Sequence, residues 1–240
     1  MLKDKKVLAI TLARGGSKRV PKKNIINING KPLLQYTTDQ VKKSKYIDKY
    51  IVSTEDLEIK KVCERLNIET LNRPQHLAED TSTSIDAIKH VLDIFTDYDI
   101  IVEIMCTNPL KIVDDIDSCI EKILNNDCDS VVSVVQVWDG HPSRLKYIEN
   151  NTLKDFYPEP PESRRQDLTP SAYIRNGSIY VFKKEKFLKN GFFHHGRESD
   201  LKIVPYIMPK ERTINIDEPE DLIMAKILLK NIYGDFSLMF

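Results

Sequence analysis

The chain has 240 residues, of which 36 are basic and 36 acidic, so its formal net charge at pH 7 is zero. This length is enough to bury the core of one domain, and the balanced charge argues against a general nucleic-acid-binding protein. No stretch approaches the length of a membrane span, and the first residues run into a strand without an apolar signal core, so we expect a cytoplasmic protein that does not bind membranes.

The cysteines form no Cys-x-x-Cys pair, and they lie in apolar or helical contexts. This pattern favours buried free thiols, with structural zinc or a disulfide as the less favoured alternatives. The four positions are Cys63, Cys106, Cys119 and Cys128.

The first predicted strand and the loop after it carry the strongest functional signal. Residues 7–12 form a short apolar run typical of a buried strand, and Gly15 and Gly16 follow it. Glycines permit close backbone approach and positive φ, and backbone N–H groups beside fixed cations suit a triphosphate. A solvated basic loop is the alternative, and the spacing fits neither a Walker A loop nor a dinucleotide fingerprint. The cations are Arg14, Lys18, Arg19, Lys22 and Lys23.

Strands and helices then alternate at the spacing of βαβ units. This alternation predicts an α/β fold with a mainly parallel sheet covered by helices on both faces, and ligands bind such sheets at the carboxyl ends of the strands. Asp114 and Asp115 fit the favourable first turn of a helix, with metal binding as the alternative. Helices are predicted at 33–43, 57–66, 87–95, 113–124 and 222–232, and strands at 46–54, 68–71, 100–105, 130–137 and 201–208.

Two segments depart from this pattern. Residues 72–84 form a polar connector that either only caps the next helix, through Asp80 or Thr81, or also contributes to the site. Residues 138–200 break the alternation, and an Asn150-Asn151 turn there separates two short β-type runs. We therefore expect one domain over 1–240, with 138–200 as an excursion whose exposed apolar edges a second copy could cover.

The motif Arg14-Gly15-Gly16-Ser17-Lys18 with Pro21, Lys23 and Asn24, followed by Asn29-Gly30-Lys31-Pro32-Leu33, resembles the signature of the acylneuraminate cytidylyltransferases, or CMP-sialic acid synthetases. The resemblance implies a Rossmann-like nucleotide-diphospho-sugar transferase fold and a homodimer. It also implies CTP and an acidic nine-carbon keto sugar, a nonulosonic acid, as substrates, with Mg²⁺ or Mn²⁺ as cofactor and pyrophosphate as product.

The resemblance also implies roles for individual residues. Arg14, Lys23 and Asp217 would be catalytic. Met105 stands where the family has Gln, and a thioether can pack on a base but cannot read its edge through paired hydrogen bonds. The implied nucleotide-binding residues are Ala13, Arg14, Gly15, Gly16, Ser17, Lys23, Asn24, Arg73, Ser84 and Met105.

For the sugar, the resemblance implies residues of the excursion. A guanidinium suits a carboxylate because it can bond both oxygens, although Arg164 and Arg165 could instead be salt-bridge residues of an interface. The aromatic stretch 192–195 is expected to be exposed, as a lid or a dimer seam, and metal binding by His194 and His195 is less favoured. The implied sugar-binding residues are Arg144, Arg165, Gln166, Arg175, Asn176, Tyr180, Phe192 and Phe193.

The implied metal site lies near the end of the chain. Asp217 and Asn215 occupy the places of two aspartates in the family, at a predicted strand-to-helix junction where Asp217 could instead be only an N-cap. Mg²⁺ often uses one or two carboxylates together with phosphate oxygens and water, so one Asp can suffice. The competing hypotheses are activation of an eight-carbon ulosonic acid, use of UTP, and a non-catalytic nucleotide sensor.

Overall fold

The computed structural model describes residues 5–158, 164–194 and 200–233. The strands are β1 (Val7–Leu12), β2 (Asn27–Ile28), β3 (Lys31–Pro32), β4 (Lys49–Thr54), β5 (Glu69–Asn72), β6 (Ile100–Ile104), β7 (Ser130–Val137), β8 (Lys146–Glu149), β9 (Thr152–Asp155), β10 (Ala172–Lys183) and β11 (Ile203–Ile207). The helices are α1 (Leu33–Val41), α2 (Leu57–Arg65), α3 (Ser84–Ile94), α4 (Val113–Asn125), α5 (Lys184–Asn190) and α6 (Pro219–Tyr233).

A seven-stranded sheet in the order β11-β7-β10-β6-β1-β4-β5 forms the centre of the fold. Strand β10 runs antiparallel to both of its neighbours, and the other strand pairs of this sheet are parallel. The predicted mainly parallel sheet is therefore confirmed. Its consequence for function is that the loops after β1, β4 and β6 leave the sheet at the same edge.

Helices cover both faces of the sheet, as the alternation predicts. On one face, α4 places Ile116, Cys119 and Ile120 against β6, β7 and β10. On the other face, α3 contributes Ile88 and Val91 to a core with β1 and β6. Apolar residues three or four positions apart lie on one side of a helix, which is why these sequences bury a stripe.

Helix α4 begins at a buried carboxylate. Asp115 is fully buried, and it accepts the backbone N–H of Ile112 at 3.0 Å and the hydroxyl of Tyr206 at 3.0 Å. The guanidinium of Arg212 also donates to it, with Nη2 at 2.7 Å. Asp115 thus anchors the segment that leads into the loop carrying Asp217.

Strands β7 and β10 continue beyond the rest of the sheet. The pairing of β10 with β6 ends at Ile179, opposite Ile104, whereas its pairing with β7 continues to Ala172, opposite Val137. Strand β7 also pairs with β11 as far as Val134, opposite Ile207, so three residues of β7 extend beyond the rest of the sheet, by roughly 10 Å at 3.3 Å per residue. We call residues 135–138, 144–157 and 164–175, which include the hairpin β8–β9, the ribbon.

The predicted hairpin turn is confirmed. Asn150 and Asn151 join β8 and β9 with φ of 49° and 59°. Asn tolerates this left-handed conformation better than most residues, because its short polar side chain bonds locally.

Some local expectations are wrong. Residues 213–217 do not form a strand, because the short 3₁₀ turn Lys210–Arg212 and the contact of Ile216 N–H with the Thr107 carbonyl hold them as a loop. The N-cap of α3 is Thr83 rather than Asp80 or Thr81. The cysteines are free and buried, as predicted. Within the described ranges, no helix has the length and apolar character to cross a bilayer.

Candidate active site

The loop after β1 is shaped by contacts with the start of α2. Ala13 N–H donates to the Ser53 carbonyl at 3.0 Å, and Gly15 N–H donates to Glu55 Oε1 at 2.6 Å. A Cβ on Gly15 would lie 2.4 Å from Asp56 Oδ2, so close approach requires glycine there. Of the two properties that glycine permits, the loop uses the close approach, since neither Gly15 nor Gly16 has a positive φ; Lys22 does, with φ of 52°.

Asn24 fastens the far end of this loop. Its Nδ2 donates to the Arg14 carbonyl at 2.9 Å, and its Oδ1 lies 3.1 Å from Cys106 Sγ. Asn24 is buried, and its amide both ties the two ends of the loop together and holds the loop against the segment that follows β6. The loop therefore presents its cations at the carboxyl edge of the sheet, as predicted.

The three residues expected to be catalytic meet in one cleft. Arg14, Lys23 and Asp217 line a cavity of about 350 Å³ together with Ser17, Lys18 and Asn24. Lys23 Nζ lies 2.8 Å from Asp217 Oδ1 although 194 positions separate them in the sequence. The cationic loop and the acidic loop before α6 thus form two walls of the same cavity.

The acidic loop also brings Asn215 to this wall. Asn215 Nδ2 donates to Asp217 Oδ2, while Asn215 Oδ1 is buried without a hydrogen-bond partner in the described part of the chain. Asp217 is not the N-cap of α6; instead Asp221 Oδ2 accepts the N–H groups of Asp217 and Glu218 at 2.9 and 2.8 Å. The Asp217 carboxylate therefore lines the cleft, where it pairs with Lys23 and accepts from Asn215, and it does not cap the helix.

A second, smaller cavity adjoins the first. Arg14 lines both cavities, and the second, of about 220 Å³, is also lined by Arg73, Asp80 and Ser84. Arg73 is buried, and its guanidinium donates to Ser53 Oγ at 3.1 Å and to the Ser53 carbonyl at 2.7 Å. Ser84 is exposed at the start of α3. Six of the predicted nucleotide-binding residues therefore line two adjoining parts of one cleft, namely Arg14, Ser17, Lys23, Asn24, Arg73 and Ser84. Ala13, Gly15, Gly16 and Met105 line neither cavity.

Two buried charged residues next to the cleft were not assigned a role from the sequence. Lys111 is fully buried, and its Nζ donates to the carbonyls of Met105, at 2.8 Å, and Asn108, and to Thr37 Oγ1 at 3.0 Å. Burial lowers the pKa of Lys111 to about 7, whereas the three oxygen acceptors favour its charged form. Lys111 thus fixes the backbone of the loop that carries Met105.

The other is Glu103 on β6, which is 3% exposed and pairs in register with Tyr180. Burial raises its pKa to about 7, although the positive charge of Arg73 acts in the opposite direction. A single acid within the run Ile100 to Ile104 is the sequence signal that could have identified it. Glu103 is thus a buried titratable carboxyl that interacts electrostatically with Arg73, a residue that lines the smaller cavity.

Comparison with known proteins assigns the family. A family model described as Cytidylyltransferase matches residues 8–199. The chain belongs to the cytidylyltransferase family. It is 32% identical over 221 residues to an N-acylneuraminate cytidylyltransferase of Streptococcus agalactiae, covering 91% of this chain and 52% of that one. It is 30% identical to a pseudaminic acid cytidylyltransferase of Campylobacter jejuni, covering 94% of this chain and 97% of the relative.

The chain thus spans about half the length of the streptococcal relative, which is 52% covered, and nearly the whole of the Campylobacter one. The fold is also that of a solved CMP:2-keto-3-deoxy-manno-octonic acid synthetase complexed with CTP. The TM-score is 0.73 at 14% identity, covering 95% of this chain and 99% of that chain. At this identity the likeness concerns the fold alone, and it confirms the predicted α/β nucleotidyltransferase architecture.

The predicted sugar-binding cations lie at the ribbon and not among the residues that line the two cavities. Arg144 Nη1 is 3.6 Å from Asp139 Oδ1, and the Arg165 guanidinium lies over the Trp138 ring, 5.2 Å from its centroid. Gln166 and Arg175 are exposed. Arg164 pairs with Asp167 at 2.6 Å, a local contact within the same turn.

Two of the predicted sugar-binding residues are instead structural. Phe193 is 2% exposed and stacks on Phe182 with ring centroids 4.3 Å apart, so the expectation of an exposed aromatic stretch is wrong there. Asn176 is buried, and its amide is engaged by Ser133 Oγ at 2.7 Å and by Met208 Sδ at 3.0 Å. Both side chains are used by the core: Phe193, after α5, packs in a cluster with Phe182 and Phe187, and Asn176 on β10 joins β7 to Met208.

The remaining aromatic positions lie at the edge of that core. Tyr180 and Phe192 are half-buried, and the Tyr180 ring meets Phe193 edge-on at 5.7 Å. His195 lies outside the described residues. Within the described ranges, no group of three or more His, Cys, Asp and Glu side chains could hold a metal ion.

Proposed function

We propose that this cytidylyltransferase transfers CMP from CTP to the anomeric hydroxyl of a nonulosonic acid and releases pyrophosphate. The observation that carries this proposal is that Arg14, Lys23 and Asp217 line one cavity. In it, Lys23 Nζ lies 2.8 Å from Asp217 Oδ1. Cations and a carboxylate at one point suit a metal-bound triphosphate. The names of the relatives, which act on N-acylneuraminate and pseudaminic acid, support the sugar class.

The residues of the acidic loop fit a Mg²⁺ or Mn²⁺ ion. Asn215 Oδ1 is a buried amide oxygen without a partner among the described residues, next to the Asp217 carboxylate. Rotating this amide would place an oxygen beside Asp217, and two protein oxygens with phosphate oxygens and water are a ligand set that Mg²⁺ prefers. A bound ion would neutralise phosphate charge and make the sugar hydroxyl more acidic.

The other side chains of the cleft would stabilise charge, hold the cationic loop and place the base. Arg14 and Lys23 stabilise the charge that develops on the departing pyrophosphate, because both are held in place before the nucleotide arrives. Asn24 keeps the cationic loop closed against β6. The base would be placed by Arg73, Ser84 and Met105, so that the α-phosphorus faces the incoming sugar hydroxyl.

We also propose that two copies form a homodimer through the ribbon. Large apolar side chains are exposed there, and such a cluster on a projecting hairpin is typical of an interface. A dimer would bring the Arg144 and Arg165 of one copy to the cleft of the other, where a guanidinium can bind the sugar carboxylate. The exposed side chains are Leu145, Tyr147, Ile148, Leu153, Phe156, Tyr157, Tyr173 and Ile174.

The test is a product assay across sugars. The purified chain is incubated with CTP, Mg²⁺ and, separately, N-acetylneuraminic, pseudaminic and legionaminic acids and an eight-carbon ulosonic acid. Pyrophosphate is quantified, and the CMP-sugar is identified by mass spectrometry. We expect release with at least one nine-carbon acid, and no release after EDTA treatment.

Two results would overturn this function. Activity with the eight-carbon acid alone would change the sugar class, and binding of CTP without pyrophosphate release from any sugar would indicate a non-catalytic sensor. Replacing CTP by UTP in the same assay tests the base, since Met105 cannot read the edge of the pyrimidine through paired hydrogen bonds.

A further inference from the structure

Three cations of the loop after β1 already pair with carboxylates of the same chain. Asp80 Oδ1 lies 3.1 Å from Arg14 Nη1, and Asp80 Oδ2 contacts Lys18 Nζ. A similar contact joins Arg19 to Glu218. Asp80 therefore places one carboxylate oxygen on each of two cations, in the way that phosphate oxygens would.

The position of this carboxylate is distinctive. Asp80 lines the smaller cavity with Arg73 and Ser84, whereas Lys18 lines the larger cavity with Lys23 and Asp217, and Arg14 lines both. The contacts of Asp80 therefore lie where the two parts of the cleft adjoin. A nucleotide that uses both parts must pass its phosphates through this point.

Exchange of the carboxylate for phosphate would require little rearrangement. The side chains of Asp80 and Lys18 are 49% and 77% exposed, and exposed ion pairs contribute little to stability. Arg14 Nη1 also donates to the Glu79 carbonyl at 3.2 Å, and the guanidinium has two further nitrogens. Arg14 can therefore keep its backbone contact when Asp80 leaves.

We propose that Asp80 is a built-in competitor of the triphosphate, occupying Arg14 and Lys18 in the free protein and returning to them when pyrophosphate departs. This inference rests on the proposed function, because it presumes that the cleft binds CTP. Asp80 would keep the cations arranged before binding, weaken the affinity for the nucleotide and assist release of the product. The Lys18 ammonium lowers the pKa of Asp80, so the carboxylate stays charged at neutral pH.

The test measures binding in the absence of sugar. Isothermal titration of CTP with Mg²⁺, and separately of pyrophosphate with Mg²⁺, is performed on the wild type, on Asp80→Asn and on Glu79→Gln. Asn has nearly the same shape as Asp but carries no charge, and Glu79→Gln removes a charge from the neighbouring residue, so it is the matched control. Circular dichroism checks that each variant is folded.

We expect both dissociation constants to fall roughly three- to tenfold in Asp80→Asn, as for the loss of one or two exposed ion pairs, and about twofold or less in Glu79→Gln. Unchanged or weaker binding by Asp80→Asn, with normal binding by the wild type, would overturn the inference and leave the function intact. Absence of CTP binding by the wild type would overturn both.

Discussion

The cleft and the ribbon present their charges differently. In the cleft, side chains from both ends of the sequence meet, as Lys23 and Asp217 do at 2.8 Å, and Arg73 is held in a buried position by Ser53. On the ribbon, Arg165 packs on Trp138, a residue of the same excursion, while Ile148 and Leu153 are 76% and 66% exposed. The cleft is preorganised within one chain, whereas the ribbon has the composition of a surface that a partner covers.

In our account this difference corresponds to the two proposed substrates, CTP and the acidic sugar. A triphosphate needs several fixed cations at once, and these are supplied by loops that one sheet edge brings together. The acidic sugar needs a guanidinium that, in our account, comes from another copy. Changes in the cleft should therefore act on catalysis directly, and changes on the ribbon should act through assembly.

The largest expected effect is that of Lys23→Ala. The variant loses a cation that is 17% exposed and preorganised beside Asp217. We expect turnover to fall about 100- to 1,000-fold, as for loss of a preorganised donor to developing charge. Pyrophosphate release measures it, and unchanged turnover would contradict the role of Lys23.

The matched control is Lys22→Ala. Lys22 precedes Lys23 in the same loop, but its ammonium pairs with Glu58 at 2.7 Å. We expect nearly normal turnover, which would separate the specific role of Lys23 from the total charge of the loop.

The second effect concerns assembly. Ile148→Asp combined with Leu153→Asp puts two charges on cross-strand neighbours of the hairpin. Burial of one such side chain is worth roughly 1.5–3 kcal/mol, so we expect dimer dissociation to become at least about 100-fold easier. Analytical ultracentrifugation measures it. Thr152→Asp, on the other face of the same hairpin, is the control, and a double variant that still dimerises fully would contradict the proposed interface.

The third effect is on stability and pH. The pKa of Glu103 is raised by burial from 4.5 to about 7. Between these values the folded protein binds a proton that the unfolded chain has released, so the free energy of unfolding falls as the pH rises from 4.5 to 7. At about 1.4 kcal/mol per pKa unit, Glu103→Gln should be about 3 kcal/mol more stable than the wild type at pH 8 and similar to it at pH 4. Urea denaturation of both proteins across pH measures the difference, and parallel curves would contradict it.

The smallest effect concerns the base. Met105 follows β6 directly, and its backbone is held by Lys111 and by the Ser178 carbonyl. Met105→Gln adds an amide that can pair with a pyrimidine edge, and one net hydrogen bond is worth roughly two- to tenfold. We expect the ratio of kcat/KM for CTP over UTP to change by that factor, with Met105→Leu unchanged. Equal ratios in all three proteins would exclude a role for this position in base choice.

Much of the fold could be predicted from the sequence. Alternating strands and helices predicted the mainly parallel sheet, and the Asn150-Asn151 turn predicted the hairpin. The loop at 213–217 was mistaken for a strand because Ile214 and Ile216 alternate with polar residues. Its backbone is set instead by tertiary contacts, including that between Ile216 and Thr107, which local patterns do not record.

The candidate site could be predicted from the sequence only in part. Sequence motifs marked Arg14, Lys23 and Asp217, and the fold brings them to one cavity. Motifs could not show that Phe193 packs into the core or that Asp80 occupies the cations, since both depend on segments that are distant in the sequence. In the proposed dimer, the residues of the excursion that reach a cleft belong to the second copy, and a pattern in one chain does not record such a contact.

The most direct test of the division between cleft and ribbon is complementation. One subunit carries Lys23→Ala, the other carries Arg144→Ala with Arg165→Ala, and the heterodimer is isolated by two different affinity tags. If the ribbon of one copy completes the cleft of the other, one of the two sites is wholly wild type, so the heterodimer should recover about half of the wild-type turnover. A heterodimer as inactive as either parent would contradict the account.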